Sequence, residues 1–74
     1  MEYDFFGKIP VVILYRKKGS ELTNKCPFCG TGHIHGSAQG HRIAHCGSAY
    51  ANASIFASDG TQLFMKHGYI IRDI

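Results

Sequence analysis

Hydrophobic positions fall in short runs separated by turn-forming residues. The run Val11-Val12-Ile13-Leu14-Tyr15 is β-branched and apolar, as a buried strand requires. Pro10 suits its first position. An aromatic start (Tyr3, Phe5, Phe6) breaks at Gly7, and Lys17-Lys18-Gly19-Ser20 reads as a turn, with Glu21 to Lys25 as a connector. Thr31 to His35 and His41 to Cys46 are short extended segments on either side of Gly36-Ser37-Ala38-Gln39-Gly40, which predicts a hairpin. The stretch Ala49 to Ala57 is ambiguous, since its alanines favour helix while Ile55 and Phe56 lead into Ser58-Asp59-Gly60-Thr61. An Asp-Gly pair between apolar runs predicts a two-residue type I′ hairpin, with strands Ser54 to Ser58 and Thr61 to Lys66. A last strand is expected over Tyr69 to Arg72. No internal repeat or heptad is present.

These elements describe a small mostly-β, antiparallel domain. The chain has 74 residues, which allows a single domain over 1–74, and its 45% hydrophobic and 18% charged composition marks it as a folding sequence. A domain this small buries only ~60% of its unfolded surface and usually needs a staple, here expected to be a metal. The longest apolar run, Ile9 to Tyr15, falls far short of the ~20 residues of a membrane helix, so no membrane role is expected. Glu2 and Asp4 stand where a secretory signal would carry positive charge, which makes the cytoplasm the expected compartment. The formal charge of +3 is a mild excess. Three thiolates holding one Zn²⁺ would lower it to about +2.

Chemistry concentrates in the segment 26–46. Its three cysteines cannot all pair within the chain, which disfavours a disulfide framework. Cys26-Pro27-Phe28-Cys29-Gly30 has the form of a zinc knuckle, in which two thiolates grip one tetrahedral ion from a tight turn. A thioredoxin-type redox pair would need a helix to start at the first cysteine, and Gly30, Gly32, Gly36 and Gly40 forbid one. Cys46 is the expected third ligand, returning beside Gly30 if the hairpin forms. Four of the five histidines lie in the same window, and one of them supplies the fourth ligand. His33 and His45 rank equal. His41 follows, its spacing one residue short of a ββα finger, and His35 comes last. The remaining histidines are expected to support the ligands through hydrogen bonds. His67 has no neighbouring partner in the sequence and is expected to be exposed and inert.

The segment Cys26-Pro-Phe-Cys-Gly-x-x-His33-x-His35-Gly36, followed by Gly40-His41-Arg42-x-Ala44-His45-Cys46-Gly47, resembles short zinc-ribbon-like proteins encoded by bacteriophages and prophages. Those proteins share a Cys-Pro-x-Cys-Gly, His-x-His-Gly and His-Cys pattern. The resemblance implies a zinc-ribbon-like fold and a phage or mobile-element origin, hence a host-cell cytoplasm. Small proteins of that kind often bind nucleic acid or inhibit host enzymes. The present chain departs from them in its longer, more apolar C-terminal part.

Three functions are compatible with these features. The first is a non-catalytic zinc-stabilised module that binds a protein stoichiometrically, for example as an anti-CRISPR-like inhibitor of a host defence complex. Tyr3, Phe28, Tyr50 and Tyr69 are its candidate anchors, and its face is expected near His35, Arg42 and the C-terminal strands. The second is nucleic-acid binding through a basic patch of Arg16, Lys17, Lys18, Lys25 and Arg42. The third is a small zinc hydrolase. Catalytic zinc usually works with a carboxylate, and the segment 26–46 contains no Asp or Glu. The chain is therefore expected not to be an enzyme.

Overall fold

The computed structural model describes residues 2–18, 26–32, 35, 39–44 and 46–74. The apolar run over-fills its predicted strand. It forms β2 (Ile9–Arg16), which pairs antiparallel with β1 (Tyr3–Phe6) across the turn at Gly7. β3 (Gly40–Arg42), β4 (Ser54–Phe56), β5 (Gln62–Phe64) and β6 (Tyr69–Asp73) complete the strands. The four-stranded sheet has the order β1-β2-β6-β3, and β4 and β5 form a separate two-stranded hairpin. The domain is small, mostly β and mostly antiparallel, with the cysteine cluster against one face. Among the described residues no α-helix occurs, and none is long and apolar enough to cross a membrane.

The departure from an all-antiparallel sheet lies at its centre, where β6 pairs in parallel with β2 from Val12↔Tyr69 to Arg16↔Asp73. Apolar residues at almost every position of both strands suit a ladder covered on both faces. Strand alternation sends Val12, Leu14, Tyr69 and Ile71 to one face, where they meet Cys26, Phe28, Ala44, Ala57 and Leu63 in one core cluster. Val11 and Ile13 take the opposite face and are also buried. That face is sealed by alternate residues at the N-terminal end. Glu2 accepts a hydrogen bond from the Tyr15 hydroxyl, Asp4 pairs with Arg72, and Phe6 stacks on His41 with ring centroids 4.5 Å apart. The Arg72 guanidinium, together with the Phe5 N–H, holds the Asp4 carboxyl below its usual range.

Pro10 sits second in β2, opposite Phe5. The Phe5 N–H turns outward and donates to Asp4 Oδ1 at 2.7 Å, so this pair exchanges no ladder bond and Pro10 lacks nothing there. Arg16 ends the core face of β2. It is completely buried, and its Nε and a terminal nitrogen each reach Asp73 Oδ1 at 3.2 Å. This removes Arg16 from the expected basic patch, because a buried, paired guanidinium is not presented to phosphates.

Two predicted hairpins change. β3 pairs with β6 through His41↔Ile70; of the expected partner segment Thr31 to His35, Thr31, Gly32 and His35 are not in a strand, and residues 33 and 34 lie outside the described residues. The edge of β6 offers β3 a ladder against a mainly apolar strand. The hairpin at Asp59-Gly60 forms, but with a three-residue loop: Ala57 faces Thr61, the Gly60 N–H donates to the Ala57 carbonyl, and only Gly60 has positive φ. A type I′ turn needs positive φ at both central residues, whereas this arrangement places glycine alone in the left-handed position. Asp59 instead accepts hydrogen bonds from the Thr61 N–H and, at 2.6 Å, from the Tyr3 hydroxyl, tying the hairpin to β1. The ambiguous stretch before β4 contains a single 3₁₀ turn at Ser48–Tyr50.

The entry to β6 depends on a close backbone approach. Gly68 has φ +72, and a Cβ there would stand 2.1 Å from the Arg42 carbonyl oxygen. Gly7 also has positive φ but faces open space. Gly68→Ala should therefore cost about 2 to 4 kcal/mol by forcing β3 off β6, against about 1 kcal/mol for Gly7→Ala. Thermal unfolding followed by circular dichroism checks this, with a midpoint lowered by at least about 10 °C for Gly68→Ala and clearly less for Gly7→Ala.

Candidate metal centre

Residues 26–31 close on themselves. The Gly30 N–H donates to the Cys26 carbonyl at 2.8 Å and the Cys26 N–H to the Thr31 carbonyl at 2.9 Å, which turns both cysteine side chains the same way. Pro27 and Phe28 occupy the corner, and Phe28 packs into the core and anchors the loop to the sheet. The chain from β3 then brings Cys46 to the same place. The route differs from the predicted one: β3 is held by β6, and residues after Arg42 turn back over the core through buried Ala44.

The sulfur atoms of Cys26, Cys29 and Cys46 all lie within 4.8 Å of one another. Cys26 Sγ and Cys46 Sγ are 3.5 Å apart, and Cys29 Sγ is 3.1 Å from Thr31 Oγ1. Cys26 is fully buried, whereas Cys29 and Cys46 are half-buried at the rim. Three sulfur donors converging at this separation could hold one metal ion between Cys26, Cys29 and Cys46. Their convergence agrees with the expected cysteine set.

The histidines separate sharply. His33 and His45, the two expected fourth ligands, lie outside the described residues. His41 is excluded from the cluster: it sits in β3, its Nε2 donates to the His67 carbonyl at 2.7 Å, and its ring stacks on Phe6. The finger-like spacing therefore does not describe this site. His35 is buried, lies outside the three-sulfur group, and its Nε2 hydrogen-bonds the Tyr69 hydroxyl. His67 is half-buried rather than exposed. Its ring meets Phe64 edge-on, and its Nδ1 is a buried nitrogen without a hydrogen-bond partner among the described residues.

Tyr69 is the residue that sequence reasoning misplaced most. Taken as an exposed anchor, it is completely buried as the first residue of β6. Burial pushes its phenol well above the ordinary range, and the charges of Cys26, Cys46 and Cys29 add to the effect, so its hydroxyl stands in the field of all three sulfurs. Phe28 is likewise buried and cannot be an exposed anchor. The sequence carried one usable signal, because Tyr69 opens an apolar strand and a buried tyrosine needs a polar partner. No protein-family model, curated protein or solved structure matches the chain.

Metal binding should expel protons. In the metal-free protein the Cys46 thiol is pushed from 9.0 up to about 12, chiefly by burial and then by hydrogen bonds from Cys26 and Cys29. At neutral pH it therefore carries a proton that an ion must displace, and apparent metal affinity should fall as pH is lowered. The same shift has a stability sign. Because folding raises this pKa, the contribution is fully present below pH 9.0 and is lost as pH climbs to about 12. Metal-free protein should lose stability across that alkaline window, and Cys46→Ser should flatten the dependence. Denaturant titrations at a series of pH values, in the presence of a reductant and a chelator, measure it.

Proposed function

We propose that this protein is a non-catalytic, zinc-stabilised binding module that acts by engaging a protein partner in a fixed ratio. Zinc suits a group of three thiolates completed by one histidine, for which His33 and His45 are the candidates, and such a closed site contributes folding free energy. The observation that carries the reading is the ribbon formed by the outer ends of β1 and β2. Pairing with β6 begins only at Val12, so residues 5–10 project beyond the four-stranded sheet. Phe5 is 59% exposed, Phe6 57% and Ile9 42%, with exposed Lys8 at the turn.

Phe5 points to one face of the ribbon while Phe6 and its neighbour Ile9 point to the other. Apolar anchors on both faces of a narrow tip suit a groove that encloses it. This replaces the interface expected near His35 and the C-terminal strands, since His35, Tyr69 and Ile71 are buried. A protein partner is favoured over nucleic acid, because Arg16 is buried against Asp73 and so lost to the expected basic patch; Lys25 lies outside the described residues. Lys17 and Lys18 remain exposed, and Arg42 donates to the His41 carbonyl at 2.9 Å. The resemblance to phage zinc-ribbon-like proteins suggests host defence complexes as the first partners to assay.

Purified protein should contain about one equivalent of zinc, and Cys26→Ser should abolish both metal retention and the cooperative unfolding transition. Elemental analysis showing less than about a third of an equivalent, with the fold unchanged by chelation, sinks the metal part. Against a responsive complex, inhibition should saturate at a fixed molar ratio. Phe5→Ser should weaken it by roughly tenfold or more, about 1.4 kcal/mol, while the melting curve stays close to wild type. Inhibition at small fractions of the target concentration that requires zinc would instead identify an enzyme.

A further inference from the structure

The His35–Tyr69 pair is a polar contact buried in the core cluster beside the cysteines. Tyr69 lies on the sheet floor beneath the cysteine cluster, within the same group of packed side chains as Cys26, Cys29 and Cys46. Its hydroxyl reaches His35 Nε2, and the two rings meet edge-on at 5.3 Å. Neither residue belongs to the three-sulfur group, and a hydroxyl and an imidazole are costly to bury for packing alone. Phenylalanine would fill the same place on β6.

A metal centre explains the pair. Three thiolates around one divalent cation leave a net negative charge beside fully buried Cys26, and that charge needs hydrogen-bond donors. Thr31 Oγ1 stands against Cys29 Sγ at the rim. Among the described residues, Tyr69 carries the hydroxyl that is packed with Cys26 in the buried core. We propose that Tyr69, oriented by His35, is the inner hydrogen-bond donor to the metal-bound thiolates and so sets the strength of the centre. This inference rests on the metal-binding reading given above.

In this arrangement His35 donates its Nε2 proton to the Tyr69 oxygen, and the hydroxyl proton is thereby directed at the sulfurs. Both are positioning residues: Tyr69 would act on the sulfurs through its hydroxyl and His35 through Tyr69, and neither binds the ion. Because His35 acts through Tyr69, the two side chains should not contribute independently.

The test uses the full chain loaded with Co²⁺, whose thiolate charge-transfer and ligand-field bands report the coordination sphere, together with Zn²⁺ competition against a chromophoric chelator. Tyr69→Phe keeps the ring and removes only the hydroxyl. It should lower metal affinity by roughly 10 to 100-fold and shift the thiolate band, while the number of thiolate ligands stays the same. His35→Gln should give a smaller loss in the same direction, and the double variant should be no weaker than Tyr69→Phe alone. Thr31→Val should perturb the bands independently of both. If wild type develops no thiolate band with Co²⁺, the metal reading itself fails. If wild type binds but Tyr69→Phe matches it in affinity and spectrum, the donor role is overturned while the metal centre stands. A tyrosinate-to-metal band in wild type, or loss of one ligand only in His35→Gln, overturns the positioning role by making one of the pair a ligand.

Discussion

The parallel ladder between β2 and β6 is the constraint on which the rest of the molecule depends. It joins the strand that follows the first turn to the last strand of the chain, so the residues between them form one long crossover. In most parallel pairs that crossover is a helix. Here it carries the cysteine loop, β3 and the β4–β5 hairpin, none of which has enough apolar surface to fold alone. The cysteine loop and the β4–β5 hairpin instead lie on the floor made by Val12, Leu14, Tyr69 and Ile71, while β3 extends the sheet along the edge of β6. Contacts so distant in sequence carry a high closure entropy, and a metal ion held between residues 26–29 and 46 would shorten the loops that must be ordered.

The cysteine centre and the sheet are thus parts of one problem. Phe28 pins the cysteine loop to the core and Ala44 does the same for the returning chain, so the thiols converge because their flanking residues are buried. The arrangement puts sulfur over an apolar floor, where the Cys46 thiol holds its proton tightly in the metal-free protein and a cation would have to displace it. Polar groups on the other face do different work. There Glu2–Tyr15 and Asp4–Arg72 cover apolar residues that a longer chain would bury under a second layer.

The strands and the cysteine centre were legible in the sequence because they depend on local chemistry. β2 and β6 follow from unbroken apolar runs, and the cysteine loop from Cys-x-x-Cys-Gly. What was not legible depends on partners distant in the chain. The pattern of Gly40 to Arg42 is the same whether it pairs with residue 31 or with residue 71, and only the competition for the β6 edge decides it. Tyr69 looks like an exposed aromatic until its strand is known to be central. Arg16 reads as the start of a basic run, and only the parallel register brings Asp73 beside it. The Asp-Gly turn was found but its loop length was not, since Tyr3 and Thr61 supply the hydrogen bonds that orient Asp59.

The Asp4 carboxylate that takes up the Phe5 N–H closes part of the outer edge of β1. A neighbouring polypeptide cannot extend the sheet there without first displacing a charge already held by Arg72. Strand addition is therefore discouraged at the very place where two phenylalanines stand in solvent. The sticky side chains and the sticky backbone have been uncoupled, so the ribbon can present aromatic surface without offering a template for fibre growth. Anything that captures it must do so by the shape of a cavity rather than by continuing its hydrogen bonds, which makes recognition depend on the side chains alone.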